Sequence, residues 1–253
     1  MGMARALGEL PVSFDGRGVL VLCYHSVRTR AHFAAQMAEV AARGYTALSL
    51  GQFTDWLRRG KPVSTPAVLL TFDGGYRDQL EHAVPVLGSL ALPATFFPVT
   101  CYLDDESAGV PAIRRADLVA LVGAGHAVGC HTHTHPSLTA LPAEAVEREV
   151  VASKQRLEDL LGEPVSAFAY PYGDADARVA GIVERAGFEV AFTVDLGGVR
   201  PGDDPYRLKR LPVLGQPGRV QLGAYLSGAP FLSGGLLLYW KVRERGLSRE
   251  GGP

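Results

Sequence analysis

The stretch AVLLTFD, residues 67–73, is an apolar, β-prone run that ends on a carboxylate, and a segment of helical period begins five residues later. Short apolar runs that alternate with amphipathic helices are typical of βα units around a parallel sheet. Strands are predicted at residues 18–24, 67–72, 94–99, 127–130, 166–170 and 189–193. Helices are predicted at residues 30–43, 52–59, 78–90, 114–122, 143–161 and 175–186. The pattern indicates an α/β fold.

The chain has 253 residues, of which 47% are hydrophobic and 20% charged, so it can bury a sizeable core. Since no low-complexity linker interrupts the βα rhythm, one domain is predicted. We divide the chain into an N-terminal extension (1–17), a domain (18–215) and a C-terminal tail (216–253).

Composition excludes some classes of partner. The formal net charge is −1, so the chain lacks the positive field that holds a nucleic-acid backbone. Cys23, Cys101 and Cys130 form no CxxC pair and are odd in number, which favours buried thiols in a reducing compartment. The first 17 residues do not resemble a signal peptide, so a cytoplasmic location is predicted.

The tail contains an uncharged segment, Val220 to Trp240, with basic residues after it. This pattern is found in membrane anchors, but Pro230, several glycines and polar side chains interrupt the apolar surface. We therefore expect no membrane-spanning helix. If the tail contacts a membrane, we expect peripheral attachment through Leu236 to Trp240.

Polar clusters follow several predicted strands, at residues 71–73, 131–135, 170–172 and 194–195. In α/β barrels the loops after the strands build the active site, and open parallel sheets also bind ligands at the carboxyl ends of their strands. The clusters are therefore predicted to converge on one rim.

The stretch CHTHTHP, residues 130–136, indicates a metal site. Imidazole is a common ligand of zinc and similar ions, and His131 and His135 both reach one ion if the chain bends between them. A single histidine in a polar loop usually bonds only water, but three histidines within five residues favour metal binding. Cys130, adjacent on a strand, faces the opposite side and is expected in the core.

These motifs resemble those of the polysaccharide deacetylases with a NodB homology domain. The resemblance is carried by LTFDGGYRD at 70–78, HTHTHP at 131–136, LPATFF at 92–97 and FAYPYG at 168–173, and more weakly by LKRLPV at 208–213. Together with VLCYH at 21–25, their order is similar to that of the branch that de-N-acetylates poly-N-acetylglucosamine. The resemblance implies a distorted (β/α)7 barrel.

The resemblance also implies roles for particular residues. Asp73 is expected to be the general base, and His131 and His135 are expected to hold a divalent metal, zinc by preference. The backbone N–H near Tyr172 is expected to stabilise the oxyanion. Tyr76, Pro171 and Tyr172 are assigned to substrate binding, with Pro171 and Tyr172 shaping the sugar pocket.

The chain departs from the family pattern at Gly74, where the family has an aspartate that coordinates the metal. Glycine has no side-chain ligand, so the site has two histidines where a hydrolytic zinc centre has three protein ligands. His133 is a candidate replacement if its ring swings inward in a turn.

Other departures leave alternatives open. No histidine follows His135, so the family's late general acid is missing, and His25 is either its replacement or an ordinary loop histidine. Ala169 stands where many relatives have an arginine paired with the base. Arg210 is either the replacement or a surface residue, and Asp195 either orients such a group or caps a turn.

The leading hypothesis is a metal-dependent hydrolase that removes N-acetyl groups from an N-acetylated glycan. The alternative, from a different class, is a relative that has lost efficient metal chemistry and acts as a carbohydrate-binding component. Hydrolysis of a small amide or imide is disfavoured by the segment at 168–173, which is specific to the glycan branch.

Overall fold

The computed structural model describes residues 18–103, 111–213 and 218–227. The strands are β1 (Val19–Tyr24), β2 (Thr46–Leu48), β3 (Ala67–Gly74), β4 (Thr95–Pro98), β5 (Ala127–Val128), β6 (Ala167–Ala169), β7 (Val190–Phe192) and β8 (Leu211–Pro212). The helices are α1 (Arg30–Ala42), α2 (Leu50–Arg59), α3 (Val84–Ser89), α4 (Arg115–Gly123), α5 (Ala143–Leu161), α6 (Ala177–Arg185) and α7 (Gly218–Ser227). A π-helical turn, Gln79–Ala83, directly precedes α3.

The strands form a parallel ring. The ordered ladder runs β5-β4-β3-β1-β8, while β2 pairs with the first half of β3 and β6 pairs with β7. Single parallel bridges from Cys130 to Phe168 and from Phe192 to Leu208 connect the ladder to the β6-β7 pair on both sides. Among the residues that the structure describes, the ring thus has seven strands, and β2 lies outside it. It is a distorted barrel, and two of the contacts that close it are single bridges.

Alternation along the strands divides the core into two parts. Val19 and Val21 of β1 pack in one cluster with Leu69, Phe97 and other inward residues, and Phe53 and Trp56 of α2 belong to the same cluster. The intervening residues of β1 pack in a second cluster with residues of the surrounding helices. Because side chains alternate between faces, this division fixes which strand-end residues face the barrel interior.

Three features of the ends of the chain bear on the predicted boundaries. Helix α7 begins inside the predicted tail, yet it contacts α1, and the Tyr225 hydroxyl donates to the carbonyl oxygen of Pro212 at 3.1 Å. None of the helices in the described ranges has the length and apolar composition of a membrane span. The predicted extension at 1–17 and the membrane-attachment segment at 236–240 lie outside the described residues.

Candidate active site

The inward face of the barrel changes from apolar to polar at the carboxyl ends of β1 and β3. Along β3, Leu69 lies in the apolar interior, and Thr71 and Asp73 follow it at two-residue steps on the same face. All three are buried, and Asp73 is only 1% exposed. The barrel therefore places Thr71 and Asp73 at the rim where the sequence predicts that polar residues converge.

Arg210 pairs with Asp73 through both carboxylate oxygens. Its two terminal nitrogens donate to Oδ1 at 2.8 Å and to Oδ2 at 2.6 Å. The guanidinium is itself completely buried, and its Nε donates to the carbonyl oxygen of Thr193 at 2.8 Å. A bidentate pair of this kind fixes the carboxylate plane as well as its charge. Arg210 is therefore a buried partner of Asp73 and not a surface arginine, which decides between the two alternatives that the sequence left open.

The Asp73 pair has an electrostatic consequence. Burial alone would raise the pKa of the Asp73 carboxyl, but the Arg210 guanidinium, with smaller contributions from His131 and His25, holds that pKa well below its usual range. The carboxylate is therefore ionised at neutral pH.

His131 and His135 face each other, with their Nε2 atoms 3.2 Å apart. The Nδ1–H of His131 donates to the carbonyl oxygen of Ala169 at 2.8 Å, and this bond fixes the tautomer because a carbonyl only accepts. The Nε2 lone pair of His131 is therefore directed at His135. Two such nitrogens at this distance share either a proton or a cation.

The turn that carries the histidines is conformationally strained. Thr132 has φ +65° and His135 has φ +62°, and Tyr172, whose ring packs 4.9 Å from that of His135, has φ +59°. Non-glycine residues rarely adopt this left-handed conformation, and such strain concentrates at functional sites.

Glu149 of α5 holds the histidine turn in place. Its Oε2 accepts hydrogen bonds from the backbone N–H of His133 at 2.9 Å and of Thr134 at 2.8 Å, while its Oε1 accepts from the Thr134 hydroxyl. Sequence reasoning missed Glu149, since nothing in the spacing between 134 and 149 indicates this contact. It is a positioning residue for the histidine pair.

The histidine pair fits one divalent ion, but only in part. A tetrahedral ion with nitrogen ligands at 2.0–2.1 Å holds two of them about 3.3 Å apart, close to the observed separation. Within the described ranges, however, no cysteine, aspartate, glutamate or further histidine completes a compact three-ligand group with this pair. Two protein ligands are one fewer than a hydrolytic zinc centre has.

Tyr76 covers the position at which a third ligand is expected. A Cβ atom built on Gly74 would lie 2.5 Å from Cε2 of the Tyr76 ring, and Gly74 itself has φ +88°. A side chain at position 74 therefore requires both a strained backbone and a displaced ring. The Tyr76 ring therefore occupies the space that a side chain at position 74 would enter.

Two predicted site residues, His133 and Asp195, do not place their side chains at the facing histidines or at Asp73. The Nδ1 of His133 lies 2.9 Å from the Thr100 hydroxyl, and the ring lines a groove with Leu103 and Arg115 instead. Asp195 is exposed and contacts Arg210 through its backbone carbonyl, while Thr193 provides the carbonyl that holds the guanidinium. The inward swing proposed for His133 therefore does not occur, because the turn directs its ring to the opposite side. In the same way, the carboxylate of Asp195 is not what orients Arg210.

His25 and Cys23 lie next to Oδ2 of Asp73, the oxygen that also accepts a hydrogen bond from Arg210. The His25 Nε2 is 4.0 Å from Asp73 Oδ2, and the Cys23 thiol donates to the same oxygen at 3.5 Å. The sequence predicted that Cys23 is buried, which the structure confirms, but not that it contacts Asp73. Its two-residue spacing from His25 places both on one face of the strand end and was a usable signal. Gln79 joins the two strand ends by donating to the carbonyl oxygens of His25 and Asp73.

A family model described as polysaccharide deacetylase matches residues 60–191, just over half of the chain. The chain belongs to the polysaccharide deacetylase family. The predicted family and the predicted class of enzyme are thereby confirmed, and the matched region of this polysaccharide deacetylase includes Asp73, both facing histidines and Tyr172.

Individual relatives agree with this assignment. This chain is 24% identical over 213 residues to YxkH of Bacillus subtilis (strain 168), and the match covers 81% of this chain and 75% of YxkH. It is 25% identical over 215 residues to the poly-beta-1,6-N-acetyl-D-glucosamine N-deacetylase of Escherichia coli (strain K12), covering 69% of this chain. The match spans only 32% of that relative's length.

A solved structure confirms the fold. IcaB from Ammonifex degensii superposes on this chain with a TM-score of 0.77 at 27% identity, covering 83% of this chain and 97% of IcaB. The predicted distorted (β/α)7 barrel is therefore confirmed by the ring of strands and by this likeness.

Proposed function

We propose that this polysaccharide deacetylase removes N-acetyl groups from an N-acetylated glycan. The observation that carries the proposal is the buried Asp73–Arg210 pair at the barrel rim that also holds the facing histidines. One relative is a deacetylase of poly-beta-1,6-N-acetyl-D-glucosamine, which favours a β-linked N-acetylglucosamine polymer as the first substrate to test.

In the proposed reaction, Asp73 accepts a proton from the water that attacks the acetamide carbonyl. Arg210 holds the carboxylate ionised and in one orientation, so no reorganisation is needed when the water approaches. His25, whose side chain is 18% exposed, donates a proton to the departing amine. We assign the backbone N–H of Tyr172 to the oxyanion, and Tyr76, Pro171 and Tyr172 to contacts with the sugar.

We further propose that His131 and His135 hold a divalent ion, zinc by preference, through their Nε2 atoms. Such an ion polarises the acetyl carbonyl and acidifies water when it is bound. The fixed tautomer of His131 supports this role, since its Nδ1–H is already committed to Ala169.

The metal content of the purified protein tests this proposal. After soaking in zinc, cobalt or nickel, we expect His131→Ala to hold about one ion per chain fewer than the unaltered protein, and His133→Ala to hold the same number as the unaltered protein, measured by elemental mass spectrometry. His133→Ala is the matched control because it removes a histidine from the same turn without touching the facing pair. Absence of metal in the unaltered protein, or equal loss in both variants, contradicts the assignment.

Glu149→Gln is expected to weaken metal binding about tenfold, because outer groups that orient metal ligands have effects of this size. It is also expected to lower the free energy of unfolding by about 1–3 kcal/mol, since hydrogen bonds to a charged acceptor are lost. Metal titration and urea unfolding measure the two effects. Glu147→Gln is the control, because Glu147 lies on the same helix and has an exposed ion pair with Arg185 at 3.9 Å. A similar metal affinity in both variants would disprove the role.

A second candidate function is carbohydrate binding without efficient catalysis. The Tyr76 ring over Gly74 favours it, because a ligand side chain at position 74 would require that ring to move. Acetate release from acetylated oligosaccharides distinguishes the two functions. The hydrolase loses release with chelator and with Asp73→Asn, whereas a binding component retains the glycan in both conditions and releases no acetate.

A further inference from the structure

Cys23, His25 and Asp73 form the most compact group of potential metal ligands in the part of the chain that the structure describes. One ligand atom from each lies within 4.8 Å of the other two. The Cys23 Sγ is 3.5 Å from Asp73 Oδ2 and 3.9 Å from His25 Nδ1, and the His25 Nε2 is 4.0 Å from the same carboxylate oxygen. This group is separate from the facing histidines, although it includes the proposed base.

The distance between sulfur and carboxylate oxygen matches a shared metal ion. A tetrahedral zinc-type ion with a sulfur at about 2.3 Å and an oxygen at about 2.0–2.2 Å holds these atoms about 3.5 Å apart. The thiol proton of Cys23 lies between the same two atoms in the structure. An ion therefore takes the place of that proton, which leaves to solvent as the bond between sulfur and metal forms.

The other two ligands are able to complete this arrangement. An ionised carboxylate offers about four lone-pair positions, and Arg210 uses one on each oxygen of Asp73, so Oδ2 retains capacity. The His25 ring belongs to a partly exposed side chain, and its Nδ1 lies 3.9 Å from the sulfur while its Nε2 lies 4.0 Å from the carboxylate oxygen, so the ring must move inward for one nitrogen to reach nitrogen-to-metal distance. Its partial exposure also gives ions a path to the buried thiol.

The ligand set selects for soft ions. Burial raises the pKa of the Cys23 thiol, and Arg210 lowers it in part, so an ion must displace a firmly held proton. Ions with high affinity for thiolate do this best, whereas magnesium and calcium prefer oxygen ligands.

We propose that Cys23, His25 and Asp73 form a second cation site, which takes a thiophilic divalent ion such as cadmium or zinc and inhibits the enzyme when filled. Binding stands on the geometry alone. Inhibition rests on the proposed function, because the ion engages the carboxylate oxygen and the imidazole that we assign to proton transfer.

Cadmium titration of the full chain tests binding independently of activity, since thiolate-to-metal charge transfer is visible in the ultraviolet. We expect the signal in the unaltered protein, in Cys101→Ala and in the His131→Ala/His135→Ala double variant. We expect its loss in Cys23→Ala and at least a tenfold weaker affinity in His25→Ala. Cys101→Ala is the matched thiol control, and circular dichroism and thermal unfolding establish that each variant is folded.

The site would be overturned by the absence of a signal in the unaltered protein, by an equal signal in Cys23→Ala, or by loss of the signal in the double histidine variant. His25→Ala keeps the test decisive if Cys23→Ala does not fold, because an unchanged cadmium affinity in His25→Ala also rejects the site.

For inhibition, the activity of each variant with cadmium is compared with its own activity without cadmium. Inhibition of Cys101→Ala but not of Cys23→Ala supports the proposal, and equal inhibition contradicts it. A charge-transfer signal in a protein that never releases acetate leaves the site standing and rejects the deacetylase function.

Discussion

Replacing Asp73 with asparagine is expected to reduce acetate release at least about a hundredfold, because a positioned general base contributes on the order of 10²–10⁴ to the rate. The amide keeps the shape of the side chain and one acceptor for Arg210, but it cannot take a proton from water. Initial rates on acetylated glucosamine oligomers, with acetate measured directly, are the readout.

The matched control is Asp55→Asn, the same chemical change at a residue of α2 that forms surface ion pairs with Arg59 and Lys61. Exposed pairs contribute about 0–1 kcal/mol, so this variant is expected to keep its activity. An Asp73→Asn protein that is folded and as active as Asp55→Asn would exclude Asp73 as the base. A folded, unaltered protein that releases no acetate under any metal condition would favour the binding alternative instead.

The element pattern was largely predictable because most elements carry their own local signal. The predicted helix at 143–161 coincides with α5, and the predicted strand at 67–72 lies within β3. Strands β2 and β8 were missed, since three-residue and two-residue strands are too short to show alternation and depend on pairing with β3 and β1. Predicted helix 78–90 is a π turn followed by α3, a distinction that periodicity does not resolve.

The residues of the candidate site that belong to short sequence motifs were predictable. Residues that reach the site from a distant part of the sequence were less so. Asp73, His131 and His135 belong to short motifs. The partner of Asp73, by contrast, lies 137 residues away, and sequence reasoning left Arg210 undecided between a buried and a surface role. Only the closure of the barrel brings it to the carboxylate. His133 was misjudged for a related reason, because the path of a five-residue turn depends on tertiary contacts such as those of Glu149.

Removing the guanidinium in Arg210→Met is expected to lower the free energy of unfolding at pH 7 by about 3–5 kcal/mol, because it leaves Asp73 buried as an uncompensated charge. Urea unfolding measures the loss. Arg210→Lys keeps the charge but not the two-pronged geometry, so a smaller loss is expected. The double variant Arg210→Met/Asp73→Asn is expected to recover part of the stability, since neither charge then remains unpaired. Strictly additive losses would show that the pair is not coupled.

The pH dependence of the same variants tests the sign of the interaction. The pKa of Asp73 is depressed in the folded protein, so its contribution to stability is fully present above the ordinary aspartate pKa near 4 and declines as pH falls further. In Arg210→Met burial dominates, so the pKa of Asp73 rises above its ordinary value and protonation relieves the buried charge. The stability difference between the two proteins is therefore expected to be largest near neutral pH and to shrink on acidification. A difference that is constant between pH 7 and pH 4 would mean that Arg210 stabilises the barrel through packing on Phe192 and the bond to Thr193, and that it does not set the ionisation of Asp73.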